Sequence, residues 1–398
     1  MRTQVRPRRA PEPRAVESEA EVAGRIMSSS LLSTSALRLA AQRILWRLAS
    51  GQVRLPLDAR VGALTGRVQG PGPQEAVELQ ESLGLLAVTD GEYRRWFWHF
   101  DFMGALTGIE LVEREEGVQF HGVQIPPIHP TITERIDFPD DHPMPDHFRY
   151  LASVSNVQPK ISIPGPSCGH FRVAKEDIAP PEYRDVEVLF SDLTKTYAKA
   201  VKVFYEAGCR YLQMDDIFFA YLCDPDQRER KKAEGFDPDW LITQYAKVLH
   251  DAIVDRPDDM IIGMHLCRGN FRSTWAVEGA YDLAADAVFN QTDVDVYFME
   301  YDSERAGSLR PLRLLPKGKK RVMAGFITTK DGALESLDAM KVRFEEASQF
   351  VDIDQLGIAP QCGFASTEEG NMLSEDQQKR KLELVVKTAE AIWGGVDM

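Results

Sequence analysis

The sequence has few cysteines, no long apolar run and a deficit of basic residues. Its 398 residues contain no run of the roughly 18 apolar residues that a transmembrane helix needs, so we expect no membrane span. Five widely spaced cysteines are too few and too scattered for a disulfide framework, which favours reduced thiols in a cytoplasmic protein. Lys and Arg total 47 against 61 Asp and Glu, and a net charge of −14 argues against nucleic acid or an anionic membrane as partner.

Residues 1–75 differ from the rest of the chain in composition and pattern. Arg, Ala, Ser and Leu dominate, and residues 27–50 have the Ser- and Arg-rich, acid-free character of an organellar transit peptide, although several glutamates precede them. The run GPGPQE at 70–75 is typical of a linker. We expect an atypical N-terminal segment at 1–75 that is disordered, diverged or translated out of frame, followed by a single domain at 76–398.

Short apolar runs alternate with helical patterns from about residue 80 onward. This alternation indicates a parallel sheet, and seven strand–helix units predict an α/β fold of the (β/α)8 TIM-barrel type with one strand unaccounted for. A doubly wound sheet would need an early glycine-rich nucleotide turn, which is missing. The predicted strands are 85–92, 160–166, 211–216, 261–267, 294–300, 321–328 and 356–363, and the predicted helices are 191–208, 240–254, 274–289, 333–350 and 374–393.

Residues 103–150 form an insertion rich in His, Pro and Asp that is too long for an ordinary loop, and we expect it to cover the mouth of the barrel. Its four histidines lack metal-ligand spacing and are expected on the surface; they are His121, His129, His142 and His147. The aromatic run WFWHF at 96–100 has two interpretations. It either anchors this insertion or lines a substrate site.

Most of the predicted strands end in polar or reactive residues, which in a barrel meet at the active-site face. His265 and Cys267 lie two apart, on one side of a strand, while Glu300 and Cys362 end two other strands. Together they offer one imidazole, two thiols and one carboxylate, a set that suits tetrahedral zinc. A chance pair in a buried strand would explain His265 and Cys267 alone, but not the set of four. Cys168, after the turn at 164–166, is a rival ligand.

Two thiolates and a carboxylate cancel the charge of the metal, so such a zinc generates hydroxide poorly. It can still hold a substrate thiol as the thiolate near neutral pH. The chemistry that follows is attack by sulfur on an electrophilic carbon, which is alkyl transfer.

These strings carry a family resemblance. MHLCRGNF, YFMEYDSERAG and APQCGFAS resemble the zinc-site motifs of cobalamin-independent methionine synthase, and the chain from about residue 80 is similar to its catalytic barrel, most of all in its short single-barrel relatives. The resemblance implies zinc bound by His265, Cys267, Glu300 and Cys362. It also implies that Glu92 in TDGEYRR and Asp215 in QMDDIF act in catalysis by holding the ammonium of homocysteine, with Asp216 beside them. The alternative for each carboxylate is a structural ion pair, such as Glu92 with Arg94 or Arg95.

The sequence also departs from that family. It is too short for the second barrel of the full-length synthases, Arg172 lies near the place of the folate-site tryptophan, and Thr328 stands where the family has a proton-donating histidine. The Gly-Ser segment that opens the short relatives has no equivalent in residues 1–75. The methyl donor therefore stays open between a methylfolate, methylcobalamin and another alkyl source.

Three alternative functions share parts of this pattern. The first is zinc-dependent alkyl transfer to another small thiol, as in an epoxyalkane:coenzyme M transferase, whose sulfonate would need basic residues rather than Glu92 and Asp215. The second is a porphyrinogen-decarboxylase-like enzyme, which would not need the four zinc ligands. The third is a non-enzymatic binding module, which the reactive strand ends disfavour.

Overall fold

The computed structural model describes residues 72–395 except 115, 116, 118, 126 and 368. The expected atypical segment at 1–75 therefore lies outside the described residues up to residue 71. In the described part of the chain, no helix is both long and apolar enough to cross a membrane.

Twelve strands and eleven α-helices make up the described chain. The strands are β1 (Ala87–Val88), β2 (Thr107–Glu113), β3 (Gln119–Phe120), β4 (Val123–Gln124), β5 (Ile128–Asp137), β6 (Gln158–Pro159), β7 (Ile161–Pro164), β8 (Tyr211–Asp215), β9 (Ile261–Leu266), β10 (Val296–Glu300), β11 (Arg321–Ile327) and β12 (Leu356–Pro360). The helices are α1 (Pro73–Ser82), α2 (Phe100–Met103), α3 (Met144–Val154), α4 (Cys168–Phe171), α5 (Val186–Glu206), α6 (Phe218–Tyr221), α7 (Pro225–Ala233), α8 (Pro238–Ile253), α9 (Ala285–Asn290), α10 (Leu337–Ala347) and α11 (Glu375–Trp393).

The sheet is parallel and follows chain order. Strands β7 to β12 form six consecutive parallel neighbours, and β1 pairs in parallel with β6. Only Lys160 separates β6 from β7, and its backbone N–H donates to Val88 O at 2.8 Å, so β1 adjoins the same sheet. All seven predicted strands are present, and the mixed α/β fold is confirmed. No strand ladder joins β12 to β1 within the described residues, so closure of an eight-stranded barrel stays a prediction.

The strands and helices follow from local sequence. Strands β7 to β10 and β12 are buried along their whole length, as expected for a parallel sheet covered on both faces. Helix α8 begins at Asp237, whose side chain accepts the N–H of Asp239, with Pro238 in the first turn. Helix α11 has a capping box of Ser374 and Gln377. The elements flanking the sheet are therefore fixed by capping as well as by apolar burial.

The predicted helix at 274–289 is wrong over its first half. Residues 274–280 are irregular, and the structure has a 3-10 turn at Tyr281–Leu283 followed by the short helix α9. The N–H groups of Ala276 and Val277 donate to Arg268 O rather than within a helix. Gly279 has φ of +129°, and a Cβ there would lie 2.5 Å from Cys223 O, so this backbone packs against a neighbouring loop that a helix would not fit.

The insertion at 103–150 is an antiparallel β2–β5 pair with a small β3–β4 hairpin at its tip. Phe120 of β3 packs with Phe97, Phe100 and Phe271 in a separate apolar cluster, so the aromatic run at 96–100 does anchor the insertion. The expected surface position of His142 is wrong. Its ring stacks on Phe138 at 4.6 Å between centroids and is 4% exposed, because the insertion packs back onto the core.

Candidate metal and substrate site

The ends of strands β9 and β12 bring three of the four predicted zinc ligands together. His265 lies in β9, Cys267 follows it by two residues, and Cys362 follows the last residue of β12 by two. One ligand atom from each lies within 4.8 Å of the other two, and all three residues are buried. The period of two along a strand explains why His265 and Cys267 share a face. The cluster therefore joins residues nearly a hundred positions apart.

The geometry of this cluster suits zinc. Ligands at the usual Zn–S and Zn–N distances in a tetrahedral site are about 3.6 Å apart. Cys362 Sγ lies 3.6 Å from His265 Nε2. The other ring nitrogen of His265, Nδ1, is buried without a hydrogen-bond partner among the described residues. Two thiols and an imidazole are the donor set that zinc prefers, so the residues present fit this ion.

The electrostatics of the cluster favour a thiolate. The pKa of Cys362 lies well below its usual value because Cys267 and His265 hydrogen-bond to the sulfur and outweigh the effect of burial. Burial alone would lower the pKa of His265, but the hydrogen bond and charge of Cys362 raise it. A thiolate is the form in which cysteine binds a metal.

Glu300, the fourth predicted ligand, ends β10 but is not part of this group of three. Its Oε2 accepts the N–H of Arg268 at 2.8 Å and Gln361 Nε2 at 3.1 Å. Its Oε1 accepts a hydrogen bond from Arg305 Nη2 and lies 3.7 Å from Lys330 Nζ. Although burial opposes ionisation, these cations lower the pKa of Glu300 to about 2. Glu300 is thus an ionised, buried carboxylate whose oxygens already have cationic partners.

Asp215 lies beside the cluster. It ends β8, pairs in register with His265 and lines the same cavity as His265, Cys267 and Cys362. Its Oδ1 accepts Gln213 Nε2 at 2.6 Å, and Gln213 Oε1 accepts the buried ammonium of Lys160 at 2.6 Å. A two-step hydrogen-bond chain therefore fixes the orientation of the Asp215 carboxylate.

Glu92 occupies the turn after β1 with φ of +56°, which is unusual for a residue with a side chain. Its Oε1 accepts Ser162 Oγ at 2.6 Å and lies 3.1 Å from Arg95 Nη1. Burial raises its pKa to about 7, against the effect of Arg95 and with help from the charge of Asp215. The alternative ion pair with Arg95 is thus present, and Glu92 still lies within electrostatic reach of Asp215. Arg94 instead pairs with Asp90 at 3.2 Å.

Asp216 directly follows β8 and, unlike Asp215, is not among the residues that line this cavity. Its side chain accepts a hydrogen bond from Ser167, and a Cβ at Gly165 would clash with it. It is fully buried, and its Oδ2 has no hydrogen-bond partner among the described residues. Asp216 therefore supports the turn after β7, whereas Asp215 lines the cavity.

Sequence reasoning missed part of the cavity wall. We call the cavity that contains the cluster and Asp215 the site cavity. Its other lining residues are Phe97, Trp98, Phe120, Arg172, Ile217, Tyr221, Gly269, Asn270, Phe271, Ser366 and Thr367. Asn270 and Phe271 follow β9, and Ser366 and Thr367 follow β12, so their position after site strands was an available clue. Phe97 and Trp98 serve both the wall and the anchoring of the insertion. The other cysteines lie elsewhere: Cys168 Sγ, the rival ligand, contacts Met103 Sδ at 3.3 Å.

Comparison with known proteins identifies the family to which this chain is similar. The family model of the cobalamin-independent synthase catalytic domain matches residues 65–390. YxjG and YxjH, two uncharacterized proteins of Bacillus subtilis, are 46% and 43% identical over 319 and 318 residues, which is 80% of this chain and 83% of each relative.

Two solved structures share the fold. A candidate vitamin-B12-independent methionine synthase from Listeria monocytogenes is 32% identical with a TM-score of 0.65, covering 83% of this chain and 97% of that one. A B12-independent methionine synthase from Shewanella sp. W3-18-1, solved with selenomethionine, is 18% identical with a TM-score of 0.63, covering 83% and 96%. The second likeness concerns the fold alone.

Proposed function

We infer that this chain, which belongs to the family of cobalamin-independent synthase catalytic domains, transfers a methyl group to the thiol of homocysteine and so forms methionine. The observation that carries this proposal is the buried cluster of His265, Cys267 and Cys362 in one cavity with Asp215. A methyltransferase acting on a thiol needs both a way to ionise that thiol and a way to hold the rest of the acceptor.

His265, Cys267 and Cys362 would hold zinc. A zinc ion held by these residues would lower the pKa of the acceptor thiol, so that the thiolate would predominate near neutral pH. All three ligands are buried, which would limit the access of water to a sulfur held beside them. Glu300 would complete the set, and its present contacts with Arg305 and Lys330 would have to loosen for that.

Asp215 and Glu92 would hold the ammonium of homocysteine. Carboxylates form strong charge-assisted hydrogen bonds to an ammonium in a partly dry pocket. Gln213 and Lys160 fix Asp215 before the acceptor arrives, and Ser162 does the same for Glu92. An incoming ammonium would favour the ionised form of Glu92, whose pKa of about 7 leaves it partly protonated at neutral pH.

The methyl donor would enter from the aromatic side of the site cavity. Phe97, Trp98, Phe120 and Phe271 present flat apolar rings there, and Arg172 adds a cation. Both a methylfolate and methylcobalamin have extended planar ring systems that such walls could contact. We further propose that residues 76–398 form a single barrel.

The decisive experiment measures methionine formation by the zinc-loaded protein with homocysteine and each donor in turn. The proposal expects turnover with at least one donor, and loss of that turnover when Cys267 or Cys362 is replaced by Ser. Failure of the zinc-loaded protein to methylate homocysteine with any methylfolate or with methylcobalamin would contradict it.

A second candidate function is alkyl transfer to a thiol that carries a sulfonate, such as coenzyme M. Arg172 favours it, because this basic residue lines the site cavity together with the acid Asp215. Offering homocysteine and coenzyme M as competing acceptors distinguishes the two, since the methionine-forming enzyme should use homocysteine far faster.

A further inference from the structure

A second cavity, of about 360 Å³, adjoins the site cavity and is lined by arginine. We call it the basic cavity. Its size falls in the range of about 300–1,000 Å³ found for small-molecule sites. Arg172 and Tyr221 line both cavities, so a ligand could extend from one into the other. The other walls come from the insertion, with Gln119 and His129, from helix α7, with Gln227 and Arg230, and from Ala276 in the segment after β9.

Arg172 is a cation with unused hydrogen-bonding capacity. Its guanidinium carbon lies 5.3 Å from the Phe218 ring and 5.7 Å from the Tyr221 ring, so aromatic faces hold it in place. The side chain interacts with the Tyr221 hydroxyl, but its Nε–H is buried without a hydrogen-bond partner among the described residues. Buried guanidinium N–H groups without partners are costly, which makes an anionic ligand the natural partner.

Arg230 adds a second, half-exposed cation, which shares its counterion Glu234 with Lys231. Glu234 lies 3.6 Å away, but Lys231 Nζ lies closer to the same carboxyl group, at 2.6 Å. The charge of Asp224 also attracts Arg230, but both oxygens of this carboxylate already accept hydrogen bonds from backbone N–H groups. Burial and the charge of Arg172 lower the pKa of Arg230, so the two guanidinium groups repel each other. An anion between them would relieve that repulsion.

Gln227 gives the basic cavity a neutral polar group. Its Oε1 is buried without a hydrogen-bond partner in the described part of the chain. A carboxamide can turn either its NH2 group or its oxygen toward a ligand. Two arginines and one amide are a suitable set for a carboxylate or a phosphate.

We propose that the basic cavity binds the anionic group of the methyl donor, a carboxylate or a phosphate, through Arg172 and Arg230. This inference rests on the proposed function, because it assigns the anion to the donor whose methyl group reacts in the adjoining site cavity. A methylfolate would supply the carboxylates of its glutamate, and methylcobalamin the phosphate of its nucleotide.

Direct binding tests the basic cavity without any turnover. Isothermal titration of the zinc-loaded full chain would use two probes, 4-aminobenzoylglutamate for the carboxylate and inorganic phosphate for the phosphate. For whichever probe binds the unmodified protein, Arg230→Gln should lower the affinity about tenfold, the loss typical of one charge-assisted hydrogen bond. Lys232→Gln is the matched control: Lys232 is a half-exposed cation on the same helix, ion-paired with Glu229 and outside the cavity lining.

A second experiment compares methyl donors that have the anionic group, a carboxylate or a phosphate, with donors that lack it. The ratio of kcat/KM for the intact donor to that for 5-methyltetrahydropterin or methylcobinamide should fall about tenfold in Arg230→Gln and stay constant in Lys232→Gln. If neither probe binds, or if both variants weaken binding equally, the basic cavity is not an anion site. Probe binding that depends on Arg230 in a protein without methyl transfer would leave the anion site standing and overturn the proposed function instead.

Discussion

Gln213 Nε2 donates to Asp215 Oδ1 at 2.6 Å, and both side chains are buried. Gln213 is two residues before Asp215 on β8, so the two side chains share a face of the strand. On its other side Gln213 accepts the ammonium of Lys160, which the ring of Phe298 faces at 4.4 Å. Lys160, whose pKa burial lowers to about 7, therefore orients Asp215 through an amide, and the carboxylate is in position before a substrate binds.

This placement makes Asp215 and Glu92 the first test of acceptor recognition. Asp215→Asn and Glu92→Gln should each weaken homocysteine binding by about 1.5–3 kcal/mol, roughly tenfold to a hundredfold, because each removes a charge-assisted hydrogen bond to the ammonium. Isothermal titration of the zinc-loaded protein would measure it, with 4-mercaptobutanoate as the acceptor without an amine.

Asp216→Asn is the matched control for that experiment. Asp216 is also buried and is adjacent in sequence. Its side chain accepts a hydrogen bond from Ser167 and does not line the site cavity. Its substitution should leave the preference for homocysteine over 4-mercaptobutanoate unchanged. Equal affinity of the unmodified protein for these two thiols would remove the role assigned to Glu92 and Asp215.

The metal site predicts about one zinc per chain. Cys267→Ser and Cys362→Ser should each reduce bound zinc to well below half an equivalent and abolish turnover while the fold remains, because the sheet is packed without the metal. Metal analysis after reconstitution measures the bound zinc, and circular dichroism shows whether the fold remains. Cys223→Ser is the control: Cys223 is also a buried free thiol, but its Sγ contacts Phe219 O at 3.3 Å. Full zinc content in either ligand variant would show that the cysteine concerned is not a ligand.

Glu300→Gln tests the fourth ligand. If the carboxylate joins the metal, or orients the cluster from beside it, zinc affinity should fall by about tenfold to a hundredfold, less than in the cysteine variants. Competition with a fluorescent chelator would measure the change. Asp302→Asn is a close control, since Asp302 also accepts from Arg305 and faces Lys330 at 3.8 Å. An equal loss in both variants would assign the effect to the shared cations rather than to the metal.

The sequence predicted the parts of this molecule that depend on local pattern. Parallel strands buried on both faces are apolar runs, so all seven were found, and polar residues at their ends indicated the site. Contacts made by loops were not predictable. Gly279 packs against a neighbouring loop, so residues 274–280 do not form the first half of the expected helix. Arg305 and Lys330 reach Glu300 from segments whose path the sequence does not show.

The raised pKa of Glu92 predicts a pH-dependent stability. Its pKa is about 7 in the folded protein against 4.5 for an ordinary glutamate, so the folded state holds a proton that the unfolded state releases between these values. Stability therefore falls as pH rises through this window, by on the order of 3 kcal/mol for this group. Urea unfolding of the unmodified protein and of Glu92→Gln at pH 5 and pH 8 should show the variant losing less stability.

Glu229→Gln serves as the control for that titration. Glu229 is an exposed carboxylate paired with Lys232, and its loss should leave the pH dependence as it is. Because the zinc ligands titrate in all three proteins, their contribution cancels in the differences. An identical fall in stability in Glu92→Gln and in the unmodified protein would show that Glu92 does not carry this proton.

The last prediction concerns the methyl donor. An N-methyl amine is a poor leaving group unless its nitrogen is protonated, and the position of the family's proton-donating histidine is Thr328, whose Oγ1 accepts the N–H of Lys330 at 3.2 Å. Trp98 does supply an aromatic face to the site cavity, so stacking is available to either donor, and it contributes about 0.5–1.5 kcal/mol beyond the area buried. The difference between donors should then come from the leaving group. We expect methylcobalamin to outperform methyltetrahydrofolate with homocysteine as acceptor, and the triglutamyl form to gain little over the monoglutamate.

Trp98→Ala should slow methyl transfer from both donors. Trp240→Ala, on helix α8 and outside the site cavity, should leave both rates and their ratio unchanged. Side-by-side initial rates measure all of these, and a strong preference for the triglutamyl folate over both other donors would show that proton delivery and tail recognition are supplied by groups other than those argued for above.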